Sequence, residues 1–195
     1  MRSEVRESVV IFMKTPLMRS PVFLLFGMIL WTTIATTGLH AQRPADTARF
    51  NALMKKAFPF FQTNLDSAGF YYKTARALAV ANHDRGEYAD AGNELGNYYR
   101  DKGDVTDALP YYQEARGIFD SLRDWVGEGL CDMNTAQLYK NIAGINKTQT
   151  LLDQGIQFAI RSYELFLRAH DTAHMMNALN EEGIIYRDKD RKSVV

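Results

Sequence analysis

Histidine and cysteine are the first side chains of this sequence to consider as metal ligands or as a nucleophile. His170 and His174 stand four residues apart, the spacing of a metal-binding pair on one helix. Asp171 lies between them where a turn is expected, so we predict no metal site there. Cys131 is the single cysteine, and without a second thiol it has neither a disulfide partner nor a metal-ligand spacing. We expect it to be a buried apolar residue.

Motifs that build other active sites are absent from the sequence. It has no glycine-rich phosphate loop, no nucleophile elbow and no Glu-x-x-His pair. Lys plus Arg equal Asp plus Glu at 23 residues each, which provides no excess of basic charge for nucleic acid. The sequence therefore predicts a protein that is not an enzyme, with no catalytic residues, no metal, no cofactor and no nucleic-acid partner.

The N-terminal residues differ in character from the rest. Basic residues precede the uncharged, largely apolar segment 23–39, which is followed by the small residue Ala41. This order of basic, apolar and small residues is typical of a secretory signal peptide. We expect residues 1–41 to be removed on export to the periplasm or the cell exterior, and translation could begin at Met13. An inner-membrane anchor is the alternative.

Three stretches of 17 residues align without gaps and indicate an internal repeat, at 68–84, 108–124 and 155–171. Each starts with a small residue, has a second one seven positions later and ends in aspartate, and a tyrosine follows 15 residues after that aspartate. Small residues seven apart lie on one face of a helix, where a neighbouring helix can approach closely. The unit is therefore predicted to be a helix pair. Its aspartates and tyrosines are Asp84, Asp124, Asp171, Tyr99, Tyr139 and Tyr186.

Local signals predict where the helices start and end. Asp84 begins a D-x-x-E capping box, and Gly103 marks a turn after which Asp104 or Thr106 caps the next helix. Pro59 should end or kink the first helix, and we expect Asp66 to cap the second. The two histidines that precede repeat aspartates, His83 and His170, are interpreted as turn residues rather than as ligands.

The segment Glu94–Ala115 resembles the tetratricopeptide repeat. That family's signature is a Leu-Gly pair, a Tyr three residues on, then Ala, an aromatic residue and Ala in the second helix. The next unit, Gly129–Ser162, keeps part of the pattern, with Thr135 for the Leu and Ala159 for the aromatic residue. The resemblance covers roughly Asp46–Asp188. The matching residues of the first unit are Leu95, Gly96, Tyr99, Ala108, Tyr112 and Ala115.

The resemblance implies an all-α fold, a solenoid of three to four helical hairpins whose last hairpin is incomplete. We expect the repeat domain to cover residues 42–188, and residues 189–195 to be a truncated or disordered tail. Stacked repeats normally end in a polar capping helix. Leu179, Ile185 and Tyr186 are therefore expected to face a second helix that this sequence does not contain. A frayed terminus, pairing with another copy and continuation in a longer protein are the alternatives; we favour the last, and predict self-association of the 195-residue chain through this uncapped end.

In the tetratricopeptide family, the first helices of successive units line a concave groove that holds an extended peptide or a partner helix. The matching positions here carry amides, apolar residues and cations that could bond a peptide backbone or pair with a carboxylate. The alternative is that they are solvated residues of amphipathic helices. The implied peptide-binding residues are Asn93, Asn97, Arg100, Met133, Gln137, Lys140, Asn180, Ile184 and Arg187.

Two functions fit these features. The first is an exported interaction scaffold that binds a peptide or a partner protein in its groove. The second is the N-terminal sensory fragment of a membrane-bound histidine kinase or a transcriptional regulator, since exported arrays of this kind occur in such proteins. Residues 42–195 contain no phospho-accepting helix and no ATP-binding fold, so we expect no kinase activity of this chain.

Overall fold

Four of the helices in the described part of the chain end in a turn where one residue takes a left-handed conformation and an aspartate follows. His83, Gly103, Arg123 and His170 have φ values of 54°, 82°, 57° and 56°. The main-chain N–H of the next residue donates to a carbonyl in the last turn of the preceding helix at 2.8–3.0 Å, which closes a Schellman motif. The side chain of that residue accepts a main-chain N–H of the following helix, and these capping residues are Asp84, Asp104, Asp124 and Asp171.

Two sequence predictions are thereby confirmed, since the repeat aspartates separate helices and the two histidines before them are turn residues. The computed structural model describes residues 44–146 and 148–193, and the predicted signal peptide lies outside them. Regular structure within those residues is entirely helical, which confirms the all-α prediction. The helices are α1 (44–57), a short 3-10 turn (Phe58–Phe60), α2 (Leu65–Ala81), α3 (Arg85–Lys102), α4 (Val105–Leu122), α5 (Trp125–Asn146), α6 (Gln149–Arg168) and α7 (Thr172–Ser193).

The predicted cap of α2 is wrong by two residues. Pro59 lies in the 3-10 turn that ends α1, as expected, but the chain leaves this region extended at Asn64, with φ −154°. Asn64 therefore holds the capping position, and its Oδ1 accepts a main-chain N–H at 3.1 Å. The carboxylate of Asp66 instead accepts hydrogen bonds from the Tyr98 hydroxyl at 3.1 Å and from Lys102 Nζ at 3.0 Å.

Close packing of glycine against aromatic rings joins neighbouring helices. At four glycines, a Cβ atom would overlap an aromatic ring of an adjacent helix. The rings therefore lie directly on the glycine backbones, so that small residues admit the neighbouring helix as predicted. The four pairs are Gly69 with Tyr98, Gly96 with Tyr112, Gly127 with Phe119 and Gly129 with Phe166.

The chain divides into two compact units, Met1–Asp46 and Thr47–Val195, and the contacts between helices described here lie in the second. Each of its helices packs on the next along the chain. In addition α5 approaches both α3 and α7, whereas α4 makes no comparable approach to α2 or α6. The odd-numbered helices α3, α5 and α7 therefore lie closer together than the even-numbered ones. We call the side of the stack formed by α3, α5 and α7 the inner face.

The last helix is longer than predicted. Residues 189–193 of the predicted tail continue α7 to Ser193. Two contacts with α6 hold this extension: Lys189 Nζ lies 2.5 Å from Asp153 Oδ1, and Gln149 Nε2 donates to the main-chain oxygen of Lys189 at 3.2 Å. Residues 189–193 are therefore helical rather than a disordered tail. The repeat pattern did not indicate this, because it does not include the α6 side chains that contact Lys189.

One of the three residues expected to face a missing helix does not do so. Ile185 is fully buried in a cluster formed by α5 and α6, including Ala136 and Ile156, because it occupies the repeat position of Leu138, which also packs inward. Leu179 and Tyr186 are each 44% exposed, and that they face a further helix stays a prediction.

Removing an aspartate cap should weaken its helix start measurably. We expect Asp124→Ala to lower the free energy of unfolding by about 1 kcal/mol, because the main-chain N–H of Gly127 loses its acceptor at 2.9 Å. Asp120→Ala, at an exposed residue in the last turn of α4, is the matched control. Urea denaturation of both variants measures the difference, and equal midpoints would contradict the capping role.

Candidate functional site

Side-chain hydrogen bonds connect the three helices of the inner face. Each bond joins a residue of one helix to a residue of the next helix in the row, and each uses at least one predicted peptide-binding residue. The alternative interpretation treated these residues as solvated, but those in the three bonds have hydrogen-bond partners on the neighbouring helix. The bonds run from Asn134 Nδ2 to Asn93 Oδ1 at 2.9 Å, from Arg100 Nη1 to Gln137 Oε1 at 2.9 Å and from Lys140 Nζ to Glu181 Oε1 at 2.5 Å.

Asn97 and Arg100 are also engaged within the chain. Asn97 Oδ1 accepts the Tyr112 hydroxyl at 2.9 Å and Arg100 Nη1 at 3.1 Å, while its Nδ2 donates to Glu94 at 3.3 Å. Arg100 Nε contacts the Asp101 carboxylate at 2.8 Å. The Tyr112 bond joins α3 to α4, the Gln137 bond of Arg100 joins α3 to α5, and the other bonds lie within α3.

The remaining predicted residues differ in exposure. Met133 and Ile184 are half-buried. Asn180 and Arg187 are exposed, and they occupy the repeat positions at which Asn93 and Arg100 contact the next inner helix. The structure therefore joins Arg100 of α3 to Gln137 of α5 and leaves Asn180 and Arg187 of α7 exposed. Whether any of them binds a peptide stays a prediction.

Three polar residues of the inner face were missed in the sequence. Asp90, Asn141 and Asn177 are exposed on α3, α5 and α7, respectively. Helical spacing could have identified them, because Asp90 precedes Asn97 by two turns and Asn141 follows Gln137 by one turn. Together with Asn180 and Arg187, these residues present polar side chains of the inner face to solvent.

Acidic side chains surround Asp90 on the inner face. Neighbouring atoms exclude water from much of the carboxylate, although part of the side chain is exposed, and this desolvation disfavours the charged form. The negative charges of Asp124 and Glu94 disfavour it further. Together with the carboxylates of Asp84 and Glu87 they raise the pKa of Asp90 to about 6. A carboxylate in this setting gains from any positive charge brought to it.

The raised pKa of Asp90 predicts a pH dependence of stability. The folded chain binds this proton below about pH 6, whereas the unfolded chain binds it only near its ordinary pKa of 3.8. Between these two pH values the folded chain binds more protons than the unfolded chain. The free energy of unfolding therefore rises, as far as this group is concerned, when the pH falls from 7 to about 4. We expect Asp90→Asn to be more stable than wild type at pH 7, with the difference shrinking at pH 4. Urea denaturation across this range measures it, and a constant difference would contradict the raised pKa.

The remaining chemically reactive side chains are structural. His174 Nδ1 lies 2.7 Å from Asp171 Oδ2, and its ring stacks on Phe166. Cys131 is buried as predicted, and burial raises the pKa of its thiol far above neutrality, so it is unreactive. No group of three or more metal-ligating side chains occurs among the described residues.

A buried ionic cluster joins α5 to its two neighbours along the chain, α4 and α6. Asp132 on α5 is fully buried and accepts Arg116 Nε at 3.0 Å and Arg161 at 2.6 Å through both Nε and Nη2. Glu128 adds a second carboxylate to Arg116 at 2.6 Å. The cluster therefore joins α4, α5 and α6, and all of its carboxylates already have cationic partners.

Comparison with known proteins gives a structural likeness only. No protein-family model and no curated protein sequence matches the chain. The crystal structure of BtubC (BKLC) from P. vanneervenii is similar with a TM-score of 0.49 and 15% sequence identity, over 74% of this chain and 66% of that one. The chain thus spans less than two thirds of that protein's length. None of the described helices is long and apolar enough to cross a membrane.

Proposed function

We propose that the chain is a tetratricopeptide-repeat interaction scaffold that binds an extended peptide, or a segment of a partner protein, along its inner face. The supporting observation is that side-chain hydrogen bonds connect α3 to α5 and α5 to α7. Such bonds hold three parallel rows of side chains in fixed register, which lowers the ordering cost of binding. Asn141 and Asn177 are exposed beside these bonds and offer donors and acceptors to a peptide backbone.

The charge of the inner face favours a peptide with a basic residue over one with a free carboxylate. Two cations of the inner face, Arg100 and Lys140, already contact Asp101 and Glu181, so a ligand carboxylate at either would have to displace these partners, and Arg187 on α7 is exposed. The Asp90 carboxylate, in contrast, is surrounded by negative charge. A lysine or arginine of the ligand placed near Asp90 would relieve this repulsion.

Selection of random peptides on the immobilised full chain tests this function. Peptides recovered from the selection should bind at least about tenfold more weakly to a variant in which Asp90, Asn141 and Asn177 are replaced by alanine. The control variant carries the same change at three exposed polar residues of the α1–α2 turn and α4, namely Gln62, Gln113 and Asp120. Equal binding to both variants, or recovery of peptides without basic residues, would reject the inner face or its charge preference, respectively.

We also propose that the chain is exported and processed after Ala41, on the strength of the apolar segment 23–39 alone. Protein recovered from a secretion-competent host should then begin at Gln42. Intact-mass spectrometry measures this, and retention of residues 1–41 in a membrane fraction would favour the anchored alternative.

A further inference from the structure

The segment that forms α1, its 3-10 turn and α2 differs in charge from the rest of the repeat domain. Residues 47–83 carry five basic side chains and one acidic side chain, whereas residues 84–195 carry 13 basic and 19 acidic ones. The acidic residue of the first segment, Asp66, pairs with Lys102 of α3 at 3.0 Å, so its charge is shared with a cation of another helix. A charge asymmetry of this size indicates an anionic partner for the basic part.

Aromatic side chains are exposed on the same segment. Phe58 in the 3-10 turn is 77% exposed, and Phe70 on α2 is 65% exposed. Phe60 stacks on the Tyr71 ring at 5.7 Å, and Phe70 meets that ring edge-on at 5.5 Å. The turn and the exposed side of α2 therefore form one continuous aromatic surface. Large exposed apolar side chains grouped in this way mark an interaction site.

Lysine side chains surround these rings. Lys55, Lys56 and Lys73 are exposed. Lys56 Nζ lies 5.5 Å from the centre of the Tyr71 ring. Lys73 stands one helical turn after Phe70, and its Nζ lies 5.5 Å from each of two tyrosine rings of α3. These contacts are with ring faces and leave the lysine charges uncompensated. The basic aromatic patch, as we call this surface, consists of Phe58, Phe70, Tyr71, Lys55, Lys56 and Lys73.

The geometry of the patch fits a lipid bilayer better than a folded protein or a nucleic acid. Phe58 lies beside Pro59 in a turn, and with 77% of its surface exposed its ring projects from the protein. A protein partner would need a matching cavity for such a ring, and single-stranded nucleic acid binds along grooves. The boundary between lipid headgroups and acyl chains accepts a projecting ring without a preformed cavity.

We infer that the basic aromatic patch binds the surface of a bilayer that contains anionic lipid. Phe58 and Phe70 enter the boundary between headgroups and acyl chains, while the three lysines lie against the lipid phosphates. Either contribution alone gives weak and reversible binding, because stable attachment to a bilayer takes two signals. Loss of the rings or of the lysines should therefore each weaken binding strongly.

This surface is separate from the inner face and does not rest on the proposed function. The patch belongs to α1, the 3-10 turn and α2, whereas the inner face is formed by α3, α5 and α7. Loss of peptide binding therefore says nothing against lipid binding, and the reverse also holds.

The test uses the full chain with a fluorescent reporter beside the patch. Gln62 is exposed in the turn before α2, and Gln62→Cys provides one accessible thiol because Cys131 is fully buried. An NBD dye on this thiol should brighten and shift to the blue with vesicles of phosphatidylglycerol and phosphatidylcholine in equal parts. Vesicles of phosphatidylcholine alone should need at least about tenfold more lipid for the same change. The dye on Gln154→Cys, at an exposed residue of α6, should report no change, so the signal is specific to the patch.

The contribution of the rings is measured in the Gln62-labelled chain. Phe58→Ser combined with Phe70→Ser should raise the lipid concentration at half-maximal change at least about tenfold. The matched control is Leu122→Ser combined with Leu167→Ser, which removes two side chains that are 45% and 49% exposed outside the patch. This control should respond like the labelled parent.

The contribution of charge is measured in the same way. Lys55→Gln combined with Lys56→Gln should raise the half-maximal lipid concentration at least about tenfold, because each lysine near an anionic surface contributes about fivefold. Salt at about 0.5 M should weaken binding of the labelled parent by screening. The matched control is Arg123→Gln combined with Arg168→Gln, at two exposed arginines outside the patch.

Four outcomes would overturn the inference. The first is no change at Gln62 with anionic vesicles, as would follow if the apolar segment 23–39 of the chain covered the patch. The second is an equal response to anionic vesicles and to phosphatidylcholine alone. The third is equal binding of the phenylalanine variant and its leucine control. The fourth is a dye response to a single-stranded oligonucleotide in the absence of any response to vesicles, which would make nucleic acid the partner.

Discussion

Replacing Gly96 with leucine is expected to lower the free energy of unfolding by about 3 kcal/mol or more. The Tyr112 ring lies directly on the Gly96 backbone, so that even a Cβ atom would overlap it. Tyr112 cannot move aside easily, because it is fully buried and its hydroxyl donates to Asn97 Oδ1. Overpacking of a filled core typically costs about 1–3 kcal/mol, and displacing a hydrogen-bonded ring places this substitution at the upper end.

Glycine substitutions at open positions provide the control for this prediction. A Cβ at Gly117 meets no heavy atom within 4 Å, and glycine in a helix interior is about 0.5–1 kcal/mol less stable than alanine. Gly117→Leu should therefore leave the free energy of unfolding unchanged or raise it. Urea denaturation of the two variants gives the comparison. Equal losses would mean that leucine is disfavoured in these helices for a reason other than the Tyr112 ring.

The order of helices and turns could be predicted from the sequence because the signals are local. An aspartate cap acts within three residues of itself, and the predicted caps Asp84 and Asp104 are confirmed. The cap of α2 was misplaced, since Asn64 and Asp66 are both good capping residues. The 3-10 turn that contains Pro59 comes before both residues, and the chain becomes extended at Asn64 after it. This backbone conformation places the cap at Asn64 rather than at Asp66.

The polar contacts of the inner face could not be predicted in the same way. Asn93 and Asn134 are 41 positions apart, and Arg100 and Gln137 are 37 apart. A sequence pattern identifies the face of a helix on which such residues lie. It does not show whether the neighbouring helix will come close enough to bond them or leave them to a ligand. Asn180 and Arg187 are exposed at the same repeat positions.

Removing one cation from the buried ionic cluster should be strongly destabilising. We expect Arg161→Leu to lower the free energy of unfolding by about 3 kcal/mol. Arg161 gives two hydrogen bonds of 2.6 Å to Asp132, whose carboxylate is fully buried. Without it, the buried charge keeps only the bond from Arg116 at 3.0 Å. Arg168→Leu, at an exposed arginine of the same helix, is the matched control and should change stability by less than about 0.5 kcal/mol.

The loss from Arg161→Leu should be partly recovered by removing the carboxylate as well. The chain itself shows an apolar version of this position, because Leu179 stands in the repeat place of Asp132. In the double variant Asp132→Leu and Arg161→Leu, no unpaired buried charge remains, and Arg116 keeps Glu128 as its partner at 2.6 Å. Replacing both partners of a buried ion pair by apolar residues is often neutral. A double-mutant cycle by urea denaturation measures the coupling. A double variant less stable than Arg161→Leu alone would show that Asp132 contributes through packing rather than through its charge.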